Sequence, residues 1–233
     1  KLDMGIIQRS SSPYTSSVLL VPKGGGQFRF VVNYTGLNAI TKVEGFQIPR
    51  VDEALSLFNG KTFFTSIDMK DAFWSLPVQA SDRHLTAFLA PDGSVYEYLY
   101  MPQGIKNGSS IFSKFLDQVL RGLRFSVCVC FIDDLCIWGK DYESHLAALN
   151  AVFLRLEKYG LSLGPSKCKF FAKEFKFLGH LVSREGVRPN PEKTKAIDEW
   201  PLPTTKKELK SFVSTASYYR RFINGFASLV APL

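Results

Sequence analysis

Two adjacent carboxylates, Asp133 and Asp134, interrupt the apolar run VCVCFIDDLCIWG at residues 127–139. Six apolar residues precede the pair and four follow it, all β-branched, aromatic, Leu or Cys. Each flank therefore predicts a strand buried on both faces, with the pair at the turn of a β-hairpin. Carboxylates about 4 Å apart repel by roughly 4 kcal/mol at an effective dielectric of 20, and burial against strands adds a desolvation cost. A divalent cation with oxygen ligands relieves both, and Mg²⁺ usually takes one or two carboxylates while phosphate oxygens and water complete its octahedron. A third carboxylate, Asp68, follows the strand-like stretch at residues 62–67. Three strand-end carboxylates suit two-metal phosphoryl transfer, in which one ion activates an attacking hydroxyl and the other steadies the leaving group. Taken alone, the same residues also make a polar hairpin tip and a helix cap, and short motifs of this kind have many accidental matches.

The elements that would position these groups follow from pattern. Residues 18–21 and 28–32 flank Gly24, Gly25 and Gly26, which predicts a hairpin with a mobile tip carrying Lys23 and Arg29. Such cations suit a triphosphate, and equally an ordinary surface. Residues 51–58 predict a short helix stopped at Asn59-Gly60. After Asp68 the chain opens a tight turn or helical start, where the amides of Asp71 and Ala72 could meet phosphate. Phe73 and Trp74 are adjacent, so one is expected in the core and the other toward a ligand. Residues 85–90 and 95–100 predict a hairpin about Pro91-Asp92-Gly93. An apolar stripe from Ile111 to Leu123 predicts a helix behind the sheet. A second is expected from an Asp141 N-cap to Gly160, with stripe Leu146, Leu149, Phe153 and Leu156. Residues 175–182 predict a hairpin, residues 194–200 a short helix, and Thr205 with Glu208 a capping box for a longer one. Irregular alternation of helices and antiparallel strands argues for an α+β sheet covered on one face.

Composition narrows the class of partner. The chain has 233 residues and a formal charge of +8. From Arg155 onward 15 Lys or Arg accompany 7 Asp or Glu, whereas the preceding residues hold 14 of each. A one-sided basic region suits a polyanion, and also a solvated basic face. Cys128, Cys130, Cys136 and Cys168 form no CxxC pair, so they are expected as reduced core residues. His84, His145 and His180 lack ligand spacing. No apolar stretch approaches the roughly 18 residues that span a bilayer. Because the chain opens at Lys1 in mid-pattern, it is expected to be a segment of a longer polypeptide.

Together these stretches resemble the reverse transcriptase of gypsy-like LTR retrotransposons. The resemblance rests on eight stretches in family order: GIIQRSSSPYTSSVLLVPK, FRFVVNYTGLN, FFTSIDMKDAFWSLPV, YEYLYMPQGIKNGSSIF, FIDDLCIWG, GLSLGPSKCKFF, FKFLGHLVSREGVRPNPEKTKAI and LKSFVSTASYYRRFI. It implies an α+β right-hand polymerase with fingers at 1–42 and 76–107, a palm at 43–75 and 108–184 whose antiparallel sheet is backed by helices, and a thumb with the start of a connection at 185–233. By the same resemblance, Asp68, Asp133 and Asp134 are the catalytic carboxylates. They would hold two Mg²⁺ ions, with Mn²⁺ as a substitute and the Met69 carbonyl as an extra ligand. Lys23, Arg29, Asp71, Ala72, Phe73, Gln103 and Gly104 would bind the nucleotide, with Phe73 as the aromatic gate that excludes a 2′-hydroxyl. Phe177, Leu178 and Gly179 would form the primer grip, and Lys167 is a candidate proton donor to pyrophosphate. The implied partners are an RNA or DNA template with primer and deoxynucleoside triphosphates. RNase H and integrase are expected elsewhere in the same polyprotein, in an intracellular setting such as a cytoplasmic virus-like particle.

The sequence departs from the family pattern at several positions. Phe131 stands where tyrosine is commoner, Asn33 and Thr35 replace an acid and a base in the finger strand, and Gly108-Ser109 replaces a small residue followed by proline. The glycine tip lacks its usual acidic residue, and Gln103 is the retroviral choice. The competing reading is a decayed or co-opted copy that binds primer-template without chemistry.

Overall fold

The computed structural model describes residues 1–45, 50–132 and 134–233. Asp133, the central residue of the expected trio, lies outside the described residues.

In chain order the strands and helices are β1 (Ile7–Arg9), β2 (Val18–Gly24), β3 (Gln27–Val32), α1 (Thr35–Ile40), α2 (Val51–Ser56), β4 (Phe63–Asp68), β5 (Phe88–Leu89) and β6 (Val95–Tyr98). There follow α3 (Gly108–Val119), β7 (Cys128–Phe131), β8 (Asp134–Gly139), α4 (Tyr142–Lys158), β9 (Lys169–Ala172), β10 (Glu174–Phe177), β11 (His180–Ser183) and β12 (Gly186–Pro189). The chain closes with α5 (Pro191–Asp198), α6 (Lys206–Ser217) and α7 (Phe226–Val230).

The centre is a four-stranded sheet of order β7-β8-β4-β9, and its described pairings are antiparallel. Because successive side chains point to opposite faces, the apolar runs divide between two cores. Ile67, Cys128, Cys130, Leu135 and Ile137 pack with Phe112, Leu116 and Val119 of α3 and with Ala148, Leu149, Val152 and Leu156 of α4. Phe64, Val129, Cys136 and Trp138 face the other way, onto Leu55 and Phe58 and onto Phe175, Phe177 and Val182 of the β10-β11-β12 sheet. Phe58 makes edge contacts with Phe64, Trp138, Phe175 and Phe177 at centroid distances of 5.3 to 6.0 Å. Each such pair contributes about 0.5–1.5 kcal/mol beyond simple burial. The sheet is thus covered on both faces, not on the one face expected. The buried character of both hairpin flanks already required this.

A smaller core joins Ile6, Val32, Tyr34, Phe88 and Tyr98 beneath the β1-β6-β5 sheet and the separate β2-β3 hairpin. The buried Tyr34 hydroxyl donates to the Thr86 carbonyl at 2.9 Å. Cys128, Cys130 and Cys136 are buried in the core, as expected, whereas Cys168 is only half-buried. Burial pushes the Cys128 thiol up to about 12 and Cys136 well above its ordinary value, so neither is a ready thiolate.

Several expected elements shift. The helix drawn from Ile111 to Leu123 runs instead from Gly108 to Val119, and a positive φ of 83° at Gly122 ends its apolar continuation as a turn. On α4 the Asp141 cap holds, its carboxylate accepting from the Ser144 amide at 2.8 Å. The buried face is nevertheless His145, Ala148, Leu149, Val152 and Leu156, while Leu146 is exposed. The helix expected at 194–200 starts at Pro191, because Asn190 Oδ1 accepts from the Glu192 amide and proline suits the first turn. Residues 83–86 form a 3₁₀ turn that shortens β5 to two residues. Strands β1, β9 and β12 were not foreseen, and the expected palm–thumb division at 184/185 falls inside the β10-β11-β12 sheet.

Candidate active site

Six successive pairs join β4 to β8, from Phe63 opposite Gly139 to Asp68 opposite Asp134. The antiparallel register therefore brings the carboxylate that ends one strand beside the carboxylate that begins the other. Phe131 also pairs with Asp134, so the hairpin turn lies at the same end of the sheet. Among the described residues no three His, Cys, Asp or Glu side chains gather closely enough to hold an ion. The described carboxylates of the expected trio are Asp68 and Asp134. They stand opposite each other across the two central strands.

Strand β9 brings a further group. Its pairing with β4 carries the preceding 3₁₀ turn, Pro165–Lys167, over the end of β4. The Gly164 amide donates to the Asp68 carbonyl at 2.9 Å, and Lys167 Nζ lies 3.3 Å from Asp68 Oδ2. A Cβ at Gly164 would come within 3.1 Å of the same carboxylate oxygen, a tight contact that would press on the Asp68 side chain.

Beyond Asp68 the chain turns sharply. Asp71 has φ of 52°, and the 3₁₀ helix Ala72–Ser75 follows. Met69 and Ala72 are buried. Phe73 rests on Phe112 at 5.4 Å between ring centroids, while Trp74 packs on the smaller core. Both rings nonetheless line one cleft of about 550 Å³, so the expected division into one core ring and one ligand ring does not hold. Asp68, Met69, Asp71 and Ala72 form the same wall, Gln103 and Lys167 flank it, and Lys23 and Arg29 reach it from the β2-β3 hairpin. Gly104, with φ of 95°, does not line the cleft; its carbonyl accepts from Asn38 Nδ2 at 2.8 Å. Asn33 and Thr35 do not line the cleft; the Thr35 amide and hydroxyl both donate to Asn33 Oδ1, at 3.1 and 2.6 Å.

Sequence reasoning missed Lys1 and Phe30. Lys1 Nζ donates to the Tyr98 hydroxyl at 2.9 Å and lies over the rings of Phe30, Trp74 and Tyr98 at 4.9 to 5.3 Å. Nothing local in the sequence signals this, since its partners are scattered over almost 100 residues. Four cations at one cleft, with two carboxylates on its wall, suit a ligand with several negative charges.

Phe177, Leu178 and Gly179 stand apart from this cleft. Phe177 is buried in the core, and the rest of that motif is the half-buried Leu178-Gly179 turn.

An antiparallel sheet with carboxylates at its strand ends, beside a cationic cleft, fits the palm of the right-hand polymerase fold. The chain belongs to the reverse transcriptase (RNA-dependent DNA polymerase) family, whose model matches residues 21–182. It is 37% identical, over its whole length, to the retrovirus-related Pol polyprotein from transposon 297 of Drosophila melanogaster, and covers 22% of that protein. To the transposon Tf2-3 polyprotein of Schizosaccharomyces pombe it is 34% identical, covering 17%. These relatives agree with the gypsy-like resemblance, and the chain spans about a fifth of their length. Among solved structures, the foamy viral protease-reverse transcriptase in complex with double-stranded DNA matches 99% of this chain and 40% of its own, with TM-score 0.87 and 24% identity. The same enzyme with an RNA/DNA hybrid matches with TM-score 0.78 and 23% identity. Likeness at that identity shows the shared fold. No described helix is long and apolar enough to cross a membrane.

Proposed function

We propose that this chain is the polymerase part of a gypsy-like LTR retrotransposon Pol polyprotein, and that it extends a primer 3′-hydroxyl with deoxynucleotides on an RNA or DNA template. The observation that carries this reading is the convergence of Lys23, Arg29, Asp68, Asp71, Ala72, Phe73, Gln103 and Lys167 on one cleft at the end of the β4-β8 pair.

In this reading Lys23 and Arg29 hold the triphosphate as paired cations, and the turn at Asp71 and Ala72 presents backbone amides to it. Phe73, braced by Phe112, forms a rigid floor under the sugar, where a 2′-hydroxyl would collide with the ring. Gln103 closes the pocket wall, with Gly104 next to it in the chain. Asp68, Asp133 and Asp134, with the Met69 carbonyl, would hold two Mg²⁺ or Mn²⁺ ions. When bound, such ions lower the barrier by acidifying the attacking hydroxyl and neutralising charge on the transferred phosphoryl group. Lys167, already against Asp68, is the ammonium in reach of a departing pyrophosphate. The Leu178-Gly179 turn aims the primer end, and the basic helices α5 and α6 follow duplex phosphates without reading bases. Residues 1–42 and 76–107 act as fingers, 43–75 and 108–184 as palm and 185–233 as thumb. RNase H and integrase belong to other parts of the same polyprotein.

Primer extension on an RNA template with deoxynucleotides and Mg²⁺ tests the proposal. Wild-type chain should extend, and Asp68→Asn and Asp133→Asn should each lose at least about 100-fold while remaining folded. Folded wild-type chain that binds hybrid duplex but extends nothing across salt and Mn²⁺ conditions would instead support the co-opted binding protein.

A further inference from the structure

The turn joining β10 to β11 is made of two residues with positive φ, Leu178 at 46° and Gly179 at 70°. This is the tight hairpin geometry that matches strand twist. Glycine adopts it freely; leucine does so only where surroundings hold it. The holding groups come from 40 residues downstream. The Tyr218 hydroxyl donates to the Leu178 carbonyl at 2.8 Å, and the Tyr219 hydroxyl donates to the Gly179 carbonyl at 3.2 Å.

Each oxygen has a second donor, from β11 of the same hairpin or from the residue after β12. His180 Nδ1 lies 2.6 Å from the Leu178 carbonyl, which can only accept, so that nitrogen carries the proton. The Asn190 amide donates to the Gly179 carbonyl at 3.2 Å. A carbonyl oxygen has two lone pairs, so both acceptors of the turn are saturated. The fit leaves no slack: a Cβ at Gly179 would lie 3.2 Å from Tyr219 Oη. On the far side, Arg221 reaches Asp52 of α2 at 3.8 Å, which ties the segment after α6 to the palm side.

Packing alone does not require the Tyr218 hydroxyl. The residue is 45% exposed, and the carbonyl it meets already has the His180 proton. What the hydroxyl adds is a direct bond between the turn and the C-terminal end of α6.

Resting on the polymerase reading, we propose that Tyr218 is a positioning residue for the primer terminus. Its hydroxyl fastens the Leu178-Gly179 turn to the helix that follows the duplex, so that duplex engagement by α6 sets the aim of the 3′-hydroxyl.

Single-nucleotide incorporation by the full chain, compared between wild type and Tyr218→Phe, tests this. The expected result is an incorporation rate lower by about tenfold, with the KM for deoxynucleotide and the Kd for primer-template each within about twofold of wild type. The fluorescence of 2-aminopurine at the primer 3′ terminus should change in the binary complex, and the thermal midpoint should not. Tyr219→Phe, which removes the longer bond, should show a smaller rate loss. Equal rates for wild type and Tyr218→Phe would overturn the proposal. So would a loss that tracks a lowered midpoint with an unaltered rate per folded molecule. If wild type itself extends nothing, the polymerase reading fails first and this inference falls with it; a working wild type beside an unaffected variant rejects the inference alone.

Discussion

Lys167 Nζ lies 3.3 Å from Oδ2 of Asp68, bringing together residues separated by 99 positions in the chain. Both side chains are substantially solvated, 71% and 40% exposed, so the pair contributes only about 0–1 kcal/mol to stability. Its consequence is chemical. Lys167→Met should lower single-turnover incorporation by about 100-fold or more, the lower end of what a positioned proton donor contributes. Because it also removes a cation that competes for Asp68, half-maximal activity should need less Mg²⁺. A variant with wild-type rate and unchanged Mg²⁺ dependence would remove Lys167 from the proposed site.

Phe73→Val tests the proposed sugar floor. The deoxy-to-ribonucleotide ratio of kcat/KM should drop by about tenfold or more, mainly through faster ribonucleotide use, since a clash is relieved. Loss of the contact with Phe112 should destabilise the fold by about 1–3 kcal/mol. Undiminished discrimination in folded protein would assign the gate elsewhere.

Gly139 ends β8 directly beneath the first turn of α4. A Cβ there would stand 2.5 Å from the His145 amide nitrogen and 2.6 Å from its Cα, and backbone capped by Asp141 has little room to yield. Gly139→Ala should therefore cost about 2–4 kcal/mol in urea unfolding. Gly36→Ala in α1, where a Cβ meets nothing within 4 Å, should be neutral or slightly stabilising. Equal midpoints for the two variants would contradict the packing described at α4.

Two buried histidines set an acid limit on stability. Burial is the main cause holding His145 below its ordinary value of 6.5; its contact with the Trp138 backbone opposes this. Burial again is the main influence on His180. The Leu178 carbonyl raises its pKa, Arg221 lowers it and Asp52 raises it, while the Tyr218, Tyr219 and Phe222 rings enclose it. A pKa depressed by folding means that the unfolded chain binds protons more readily. Stability from these groups is complete above about 6.5 and declines as pH falls below it. The thermal midpoint should be level between about pH 7 and 8 and fall between about 6.5 and 5. The lowered carboxylates of Asp141, Glu192 and Glu208 act in a more acid range. A midpoint that stays level or rises down to about pH 5 would contradict this assignment.

Much of the architecture was legible because it is encoded locally. The hairpin around Asp133 and Asp134 follows from two unbroken apolar flanks, and the Asp141 and Thr205 caps from a side chain and an amide three residues apart. The resemblance to gypsy-like reverse transcriptases likewise named most of the residues that line the cleft, because motif order survives in the linear chain. Strand β9 was not legible. Its sequence, KFFA, has no alternation, and only the irregular pairing of Ser66 with Lys169 and Phe64 with Ala172 makes it a strand. The face of α4 was misread for a related reason: Leu146 has the more apolar side chain, yet His145 is buried because Thr65 Oγ1, 2.8 Å away, satisfies one of its nitrogens.

By itself the sequence determined the carboxylate-bearing hairpin, the helix starts capped by Asp141 and Thr205, and the family. Those depend on neighbours within a few residues, or on motifs kept in order. Tertiary structure alone decided that Lys167 meets Asp68, that Phe73 and Trp74 share one cleft, and that Tyr218 fastens the Leu178 turn. Each of these joins side chains whose meeting depends on strand register and helix docking, and no local propensity encodes a contact across 40 or 99 residues.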